Sequence, residues 1–443
     1  MSPAGRRIAL GLFVAAGAFA SLLLRGDGRP PEDADLLAVG GSSVPDHENG
    51  FLTMVGASEL LAWPESEDVS ERWNQLARGE SWDDGLAAEL LRSNAAALAA
   101  LERAARARQY RSPPVVDARA GGIPNLLPWT RLARVSAVRA IAAAQSGQRD
   151  EAVRGALLPV ALAHRMLSDE NATLVHAAVA YQVGRSGLVA LEVVASRVAF
   201  DAAASRETGA RLLALVPDAE SQREVWAAEY RAMRRSIVDC CDREQLAALA
   251  AVHGAPAFAL LLPSSYLYQP NNSLKSYATR IRLRQVAAGA ACQPEPNEPE
   301  TVSRAALLLP NYLGRLNLAQ TAQLAWFDAQ RCAHATHIEA VRAALALRAF
   351  EAERGMLPPG LEGLAPQYLE SAPRDWFSEL ALRLDRSRRV IYSVGSDGRD
   401  DGGRELADDE DFREPRFPLL RPGEAAAKGR WARPPALREL ELD

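Results

Sequence analysis

The sequence predicts a mainly α protein, an antiparallel array of helical hairpins closed by a small C-terminal α+β module. Three observations predict it. Alanine and leucine dominate while aromatic residues make up only 6% of the chain, and alanine and leucine lose little side-chain freedom in a helix. Apolar residues recur at helical spacing through most of the chain, between clear turn signals. The helical period gives way to strand-like runs near residue 380, where a β-hairpin is expected.

The chain has 443 residues, enough for two or more domains. Its 48% hydrophobic content excludes a disordered chain. A net charge of −5 argues against a nucleic-acid partner. Positive charge is almost all arginine, lysine occurring only at Lys275 and Lys428.

Residues 1–25 read as a signal-anchor or a signal peptide. Arg6 and Arg7 precede an uncharged apolar run from Ile8 to Leu24. Seventeen helical residues span roughly 25 Å, the lower limit for crossing a bilayer. The arginines belong on the cytoplasmic side, which sends the rest of the chain outward. Ala18-Phe19-Ala20 fits a small-residue cleavage site. The continuation through Leu22-Leu23-Leu24 favours an uncleaved anchor. The expected location is therefore the inner membrane with the bulk of the chain periplasmic, or export after cleavage.

Residues 26–49, rich in Gly, Pro, Asp and Ser, read as a flexible linker. A helical domain is expected over residues 50–315. Phe51–Trp63 starts it, and Trp82–Ala107 is a long Ala/Leu pattern. The clearest hairpin is Pro128–Leu167, where Leu132, Val135, Val138 and Ile141 recur at helical spacing and Ser146-Gly147-Gln148 makes the turn. Asp150 and Glu151 then suit the first turn of the next helix, near its positive dipole end. Ala172–Ala195 returns as a third helix, and further helix is expected from Arg206 to Leu262. The turn after Ala144 resembles that of a tetratricopeptide pair, without a stable repeat period. The glycosylation-type triplets at Asn171 and Asn271 read as ordinary turn polarity.

From about Leu316 a long helix runs to Arg354, with Ile338, Val341, Leu345 and Ala349 on one stripe and Gly355 as its cap. A short helix at Leu361–Leu369 follows, then a turn at Pro373-Arg374-Asp375-Trp376-Phe377. Leu380–Leu384 and Arg389–Val394 form the strand-like pair, and a Gly/Asp loop opens after Tyr392. The segments AFEAERGMLPPGLEGL, PRDWF and IYSVGSDGRDDGG, in that order, resemble the C-terminal globular domain of the type II secretion major pseudopilin. The whole chain looks like exported helical bacterial proteins carrying that module. The resemblance covers roughly residues 335–411, under a fifth of the chain, within a module set at 316–412, with 413–443 a Pro/Arg-rich tail. A true pseudopilin has a processed N-terminal helix leading straight into the module. Here no prepilin cleavage motif occurs and a large helical region intervenes, which implies reuse of the module as a domain.

Between Asp397 and Asp411 eight acids face only Arg399 and Arg404. Such crowding is costly without solvent or a cation to screen it. Calcium takes six to eight oxygen ligands on flexible loops, and Gly398, Gly402 and Gly403 would let carbonyls turn inward. Pseudopilins of this type bind calcium in the matching loop, so the resemblance implies Ca2+ here as well. The candidate ligands are Asp397, Asp400, Asp401, Asp408 and Asp409; the alternative is a solvated acidic loop.

Four cysteines, Cys240, Cys241, Cys292 and Cys332, leave room for one disulfide outside the cytoplasm, with no pairing legible from sequence. Cys332-x-His334-x-x-His337 cannot converge on one metal, because residues 332 and 334 of a helix point about 200° apart. Ordinary helix surface is expected there. No nucleophile elbow, P-loop, His-Glu-x-x-His or dinucleotide fingerprint occurs. The expected function is a non-enzymatic envelope scaffold or protein-interaction protein with a calcium-binding head. The alternatives are an accessory component of a type II secretion or pilus-like system, and a hydrolase with no recognised motif.

Overall fold

A computed structural model describes residues 26–39, 44–115, 125–239, 243–252, 263–290, 292, 309–320, 324–403, 415–421 and 424. It is mainly helical, with one small three-stranded antiparallel sheet. The apolar run and the cleavage triplet lie outside the described residues. Among the described residues no helix is long and apolar enough to cross a membrane.

The predicted hairpin forms as Leu127–Gln145 and Arg149–Leu167, turning at Gly147 in the left-handed region (φ 72°). Pro128 sits in the first turn, where its missing N–H costs nothing. The third helix, Leu174–Arg197, packs against both. Its start is a capping box in which the Thr173 N–H donates to His176 Nδ1 at 3.3 Å. The three helices approach closely because small residues line the seams. A side chain on Gly155 would crowd Ala140, and one on Gly187 would meet the Ala156 carbonyl and Val160. The abundant alanine is thus a packing device as well as a helix former.

One expected element divides where a polar residue is needed. The Ala/Leu stretch after Trp82 forms Asp84–Ser93 and Ala95–Arg106, separated at buried Asn94. The Asn94 side chain accepts from the Ala62 N–H at 2.9 Å and donates to the Ala62 carbonyl at 3.0 Å, holding the preceding loop. The helix placed at Leu316–Arg354 is described as Tyr312–Gln320 and Leu324–Arg354. Over Arg206–Leu262, helices occupy Ala202–Leu213, Ala219–Val238 and Arg243–Val252.

Residues 26–39 differ from the flexible linker expected over 26–49. The carboxylate of Asp27 accepts from the N–H groups of Asn271 and Asn272, at 2.8 and 3.1 Å, capping the Pro270–Ala287 helix from outside. Asp33 accepts from Tyr230 Oη at 2.7 Å and Arg234 Nε at 2.9 Å, and Asp35 is paired with Arg282 at 2.6 Å. Leu36 is buried. The acids that made this stretch look solvated are bonded to distant helices, which its composition could not reveal.

The C-terminal part is organised by the Leu324–Arg354 helix. Ile338, Val341 and Leu345 belong to the core of the helical array, while Ala340, Ala343, Leu347 and Ala349 belong to a second core with Leu361, Leu364, Tyr368, Leu382 and Ile391. One helix is therefore shared by both. Strands β1 (Arg383–Asp385) and β2 (Val390–Tyr392) form the expected hairpin, with Leu384 opposite Ile391. Arg416–Pro418, within the tail expected at 413–443, is strand β3, paired antiparallel to β2 with Phe417 opposite Ile391. Phe417, Leu419 and Leu420 are buried, so part of the expected tail completes the sheet. The chain at Leu361–Leu364 is a single 3-10 turn rather than a longer helix.

Gly187→Ala should destabilise the protein by about 1–3 kcal/mol, because the added methyl has no space against the neighbouring backbone. Gly56→Ala, on a helix where a Cβ meets nothing, should be neutral or stabilising by up to about 1 kcal/mol. Urea unfolding of both variants checks the pair, and equal effects would contradict the close helix packing.

Candidate functional site

The described part of the acidic loop does not gather its carboxylates. Asp397 Oδ1 accepts from its own loop at the Arg399 N–H, 3.0 Å away. Asp400 caps the Gly402 N–H at 3.0 Å and is ion-paired with Arg383 Nε at 2.8 Å. Asp401 is exposed. Gly398, Gly402 and Gly403 take positive φ, as a loop of this tightness requires. Asp408 and Asp409 lie outside the described residues. Among the described residues no group of three or more His, Cys, Asp or Glu side chains is placed to hold a metal ion. For Asp400 to bind calcium, the cation would have to displace Arg383.

A buried polar cluster lies instead on the shared helix. Gln330, Arg331, His334, Thr336, His337, Glu339 and Arg342 are all buried. The expectation that His334 and His337 sit on helix surface is overturned, because this helix is enclosed by the helical array on one side and the C-terminal module on the other. His337 Nε2 lies 3.0 Å from Glu192 Oε1, and Phe417 packs on the same imidazole with ring centres 5.0 Å apart. Glu339 and Arg342 form a buried ion pair one turn on. His334 lies against Gly184, whose hydrogen leaves room for the ring, and beside Tyr181 at 5.4 Å. Its Nε2 has no partner among the described residues.

Burial pushes the His334 imidazole down to about 3, with His337 and His164 adding to the effect. Burial likewise holds His176 at about 4. Both histidines are neutral in the folded protein. Tyr181, whose hydroxyl donates to Gln222 Oε1 at 3.3 Å, is pushed above its ordinary value by burial.

Glu192 was legible only in part. It is a lone acid within the apolar run Leu188–Val194, and an acid in a core position requires a partner. Which partner it has depends on a helix far along the chain. A carboxylate–imidazole pair can orient a general base. Here both groups are more than nine-tenths buried, and the hollow beside them, lined by Glu192, Arg348, Phe417 and Leu419, has about 10 Å³, space for roughly one water.

The third polar centre is Asp375, fully buried in the turn after Pro373. Its carboxylate accepts from the Phe377 N–H at 3.0 Å, Ser378 Oγ at 3.1 Å, Ser393 Oγ at 2.7 Å and the Val394 N–H at 3.1 Å. The turn and the end of β2 are thereby tied together. On the other side, the Trp376 N–H donates to Thr336 Oγ1 at 3.2 Å and the Trp376 carbonyl accepts from the Cys292 N–H at 3.2 Å. Cys292 and Cys332 form a disulfide, and it packs with Phe377 and Val394. Cys240 and Cys241 lie outside the described residues.

No family model matches the chain, and no curated protein or solved structure matches it either.

Stability should fall in acid through the two neutral histidines. Above about pH 6.5 folded and unfolded chains bind the same protons at these groups. Below it the unfolded chain takes up protons that the folded one refuses until about 4 for His176 and about 3 for His334. Each histidine then costs up to about 1.4 kcal/mol per pH unit over that window. His334→Gln and His176→Gln should each lower the slope of urea-derived stability against pH, between about 6.5 and 4, by close to one proton. An unchanged slope in both would mean that neither imidazole is held neutral.

Proposed function

We propose that this chain is a non-enzymatic scaffold of the bacterial envelope, anchored or exported through residues 8–24. Its helical hairpins present surfaces to a protein partner, and its pseudopilin-like module serves as a rigid docking head. The observation that carries this reading is the way the head is built in. The Leu324–Arg354 helix lies in both cores, and its buried polar groups bond to neighbouring elements. A head held this way passes force and orientation to the body, which suits a scaffold.

The Cys292–Cys332 disulfide supports an oxidising compartment, because disulfides persist outside the reducing cytoplasm. It closes a loop with a sequence separation of 40, which corresponds to about 4 kcal/mol of chain-entropy stabilisation. The expected result in cells is an oxidised, envelope-located chain that external protease degrades in spheroplasts but not in intact cells. Reduction or Cys292→Ser should lower stability by about 2–4 kcal/mol. A protein that is reduced and protease-protected in spheroplasts would overturn the envelope assignment.

Calcium at the acidic loop belongs to the same proposal. It is supported by the loop's charge and by the resemblance, and it requires Asp408 or Asp409 to join the described aspartates. Millimolar calcium should raise the thermal midpoint relative to chelator, by mass action on the folded state. The rise should vanish in the double variant Asp397→Asn with Asp401→Asn. An unchanged midpoint would leave the loop as solvated acidic surface and remove calcium from the proposal.

A further inference from the structure

The anchor expected at Ile8–Leu24 is followed almost at once by a fixed point. Asp27 is three residues beyond Leu24, a reach of at most about 10 Å. Its carboxylate holds the N–H groups of Asn271 and Asn272. Asn271 Nδ2 returns a hydrogen bond to the Gly28 carbonyl at 2.8 Å. The N-terminal end of the Pro270–Ala287 helix is therefore tethered within about 10 Å of the residue where the apolar run ends.

The exposed side of that helix has an unusual composition. Its inner side buries Leu274, Tyr277, Ala278 and Ile281. Asn272, Ser276, Thr279, Leu283 and Val286 recur at spacings of four and three, which places them on one outer stripe. Leu283 is 65% exposed and Val286 is 85% exposed. The helix contains Lys275, Arg280, Arg282 and Arg284 and no acid. Arg282 and Arg284 are answered by Asp35 and Asp328, so the face is only mildly basic and charge alone does not select its partner.

Resting on the anchor reading, we propose that this outer stripe lies on the bilayer surface, with Leu283 and Val286 seated among the lipid headgroups. The tether supplies proximity, the stripe supplies the apolar contact, and Lys275 stands where a basic side chain meets anionic headgroups. A helix lying flat is required for both: its 18 residues run about 27 Å, so the Asp27 clamp and Val286 touch one plane only in that orientation.

The test uses the full-length chain with Cys240→Ser and Cys241→Ser, reconstituted into vesicles of phosphatidylethanolamine and phosphatidylglycerol. An environment-sensitive fluorophore is placed at Val286→Cys, or, for comparison, at Met356→Cys, a position 59% exposed just beyond the end of the Leu324–Arg354 helix, about 36 Å along it from Cys332. Headgroup-labelled quencher lipid should quench the Val286 probe several-fold more than the Met356 probe. Equal, weak quenching in chains that float with the vesicles would overturn the docking face while leaving the anchor intact. Failure of the chain to float would overturn both. Asp27→Asn should reduce quenching at position 286 without reducing flotation; unchanged quenching would remove the clamp from the proposal.

Discussion

The fold depends on one helix being surrounded. Leu324–Arg354 has the helical array along one side and the sheet and its turns along another, so polar residues along its first half are shut away from water. A buried charge or imidazole is tolerated only when neutral or paired. The chain meets that condition in different ways at different positions. His334 is neutral, His337 meets Glu192 from the third helix, and Glu339 meets Arg342 on its own helix. Thr336 accepts from the backbone of the turn that begins the module. The His337–Glu192 contact holds the third helix and the Thr336 contact holds the first turn of the C-terminal module, so one helix positions an element on each side.

Asp375 repeats the principle at smaller scale. A fully buried carboxylate with four donors holds the turn, the end of β2 and, through its neighbours, the disulfide. Charged hydrogen bonds of this kind are stronger than neutral ones and are costly to leave unmade. The module's edge is finished by β3, drawn from a stretch that looked like tail. Its alternation of Arg416, Phe417, Pro418 and Leu419 is too short to stand out among prolines and arginines. Once β2 offers an open edge, Phe417 is buried opposite Ile391.

At the other end of the chain, residues 26–39 show how acidic side chains can be structural. Asp27, Asp33 and Asp35 bond to two helices separated from them by some two hundred residues of sequence. The stretch is thereby a strap across the body. It lies against the Pro270–Ala287 helix, whose outer face carries the exposed Leu283 and Val286.

Local pattern alone determined much of the architecture. The helical class, the hairpin turning at Gly147, the third helix and the β1–β2 pair all follow from short-range periodicity and turn chemistry, which act between near neighbours. The sequence also left room for one disulfide among four cysteines. Tertiary structure decided the rest. It paired Cys292 with Cys332 and Glu192 with His337, converted a linker into a strap, recruited part of a tail into a sheet, and moved His334 and His337 from expected surface into the core. The physical reason is common to all of these. Burial and pairing are properties of two surfaces brought together, and neither surface's sequence carries the identity of the other.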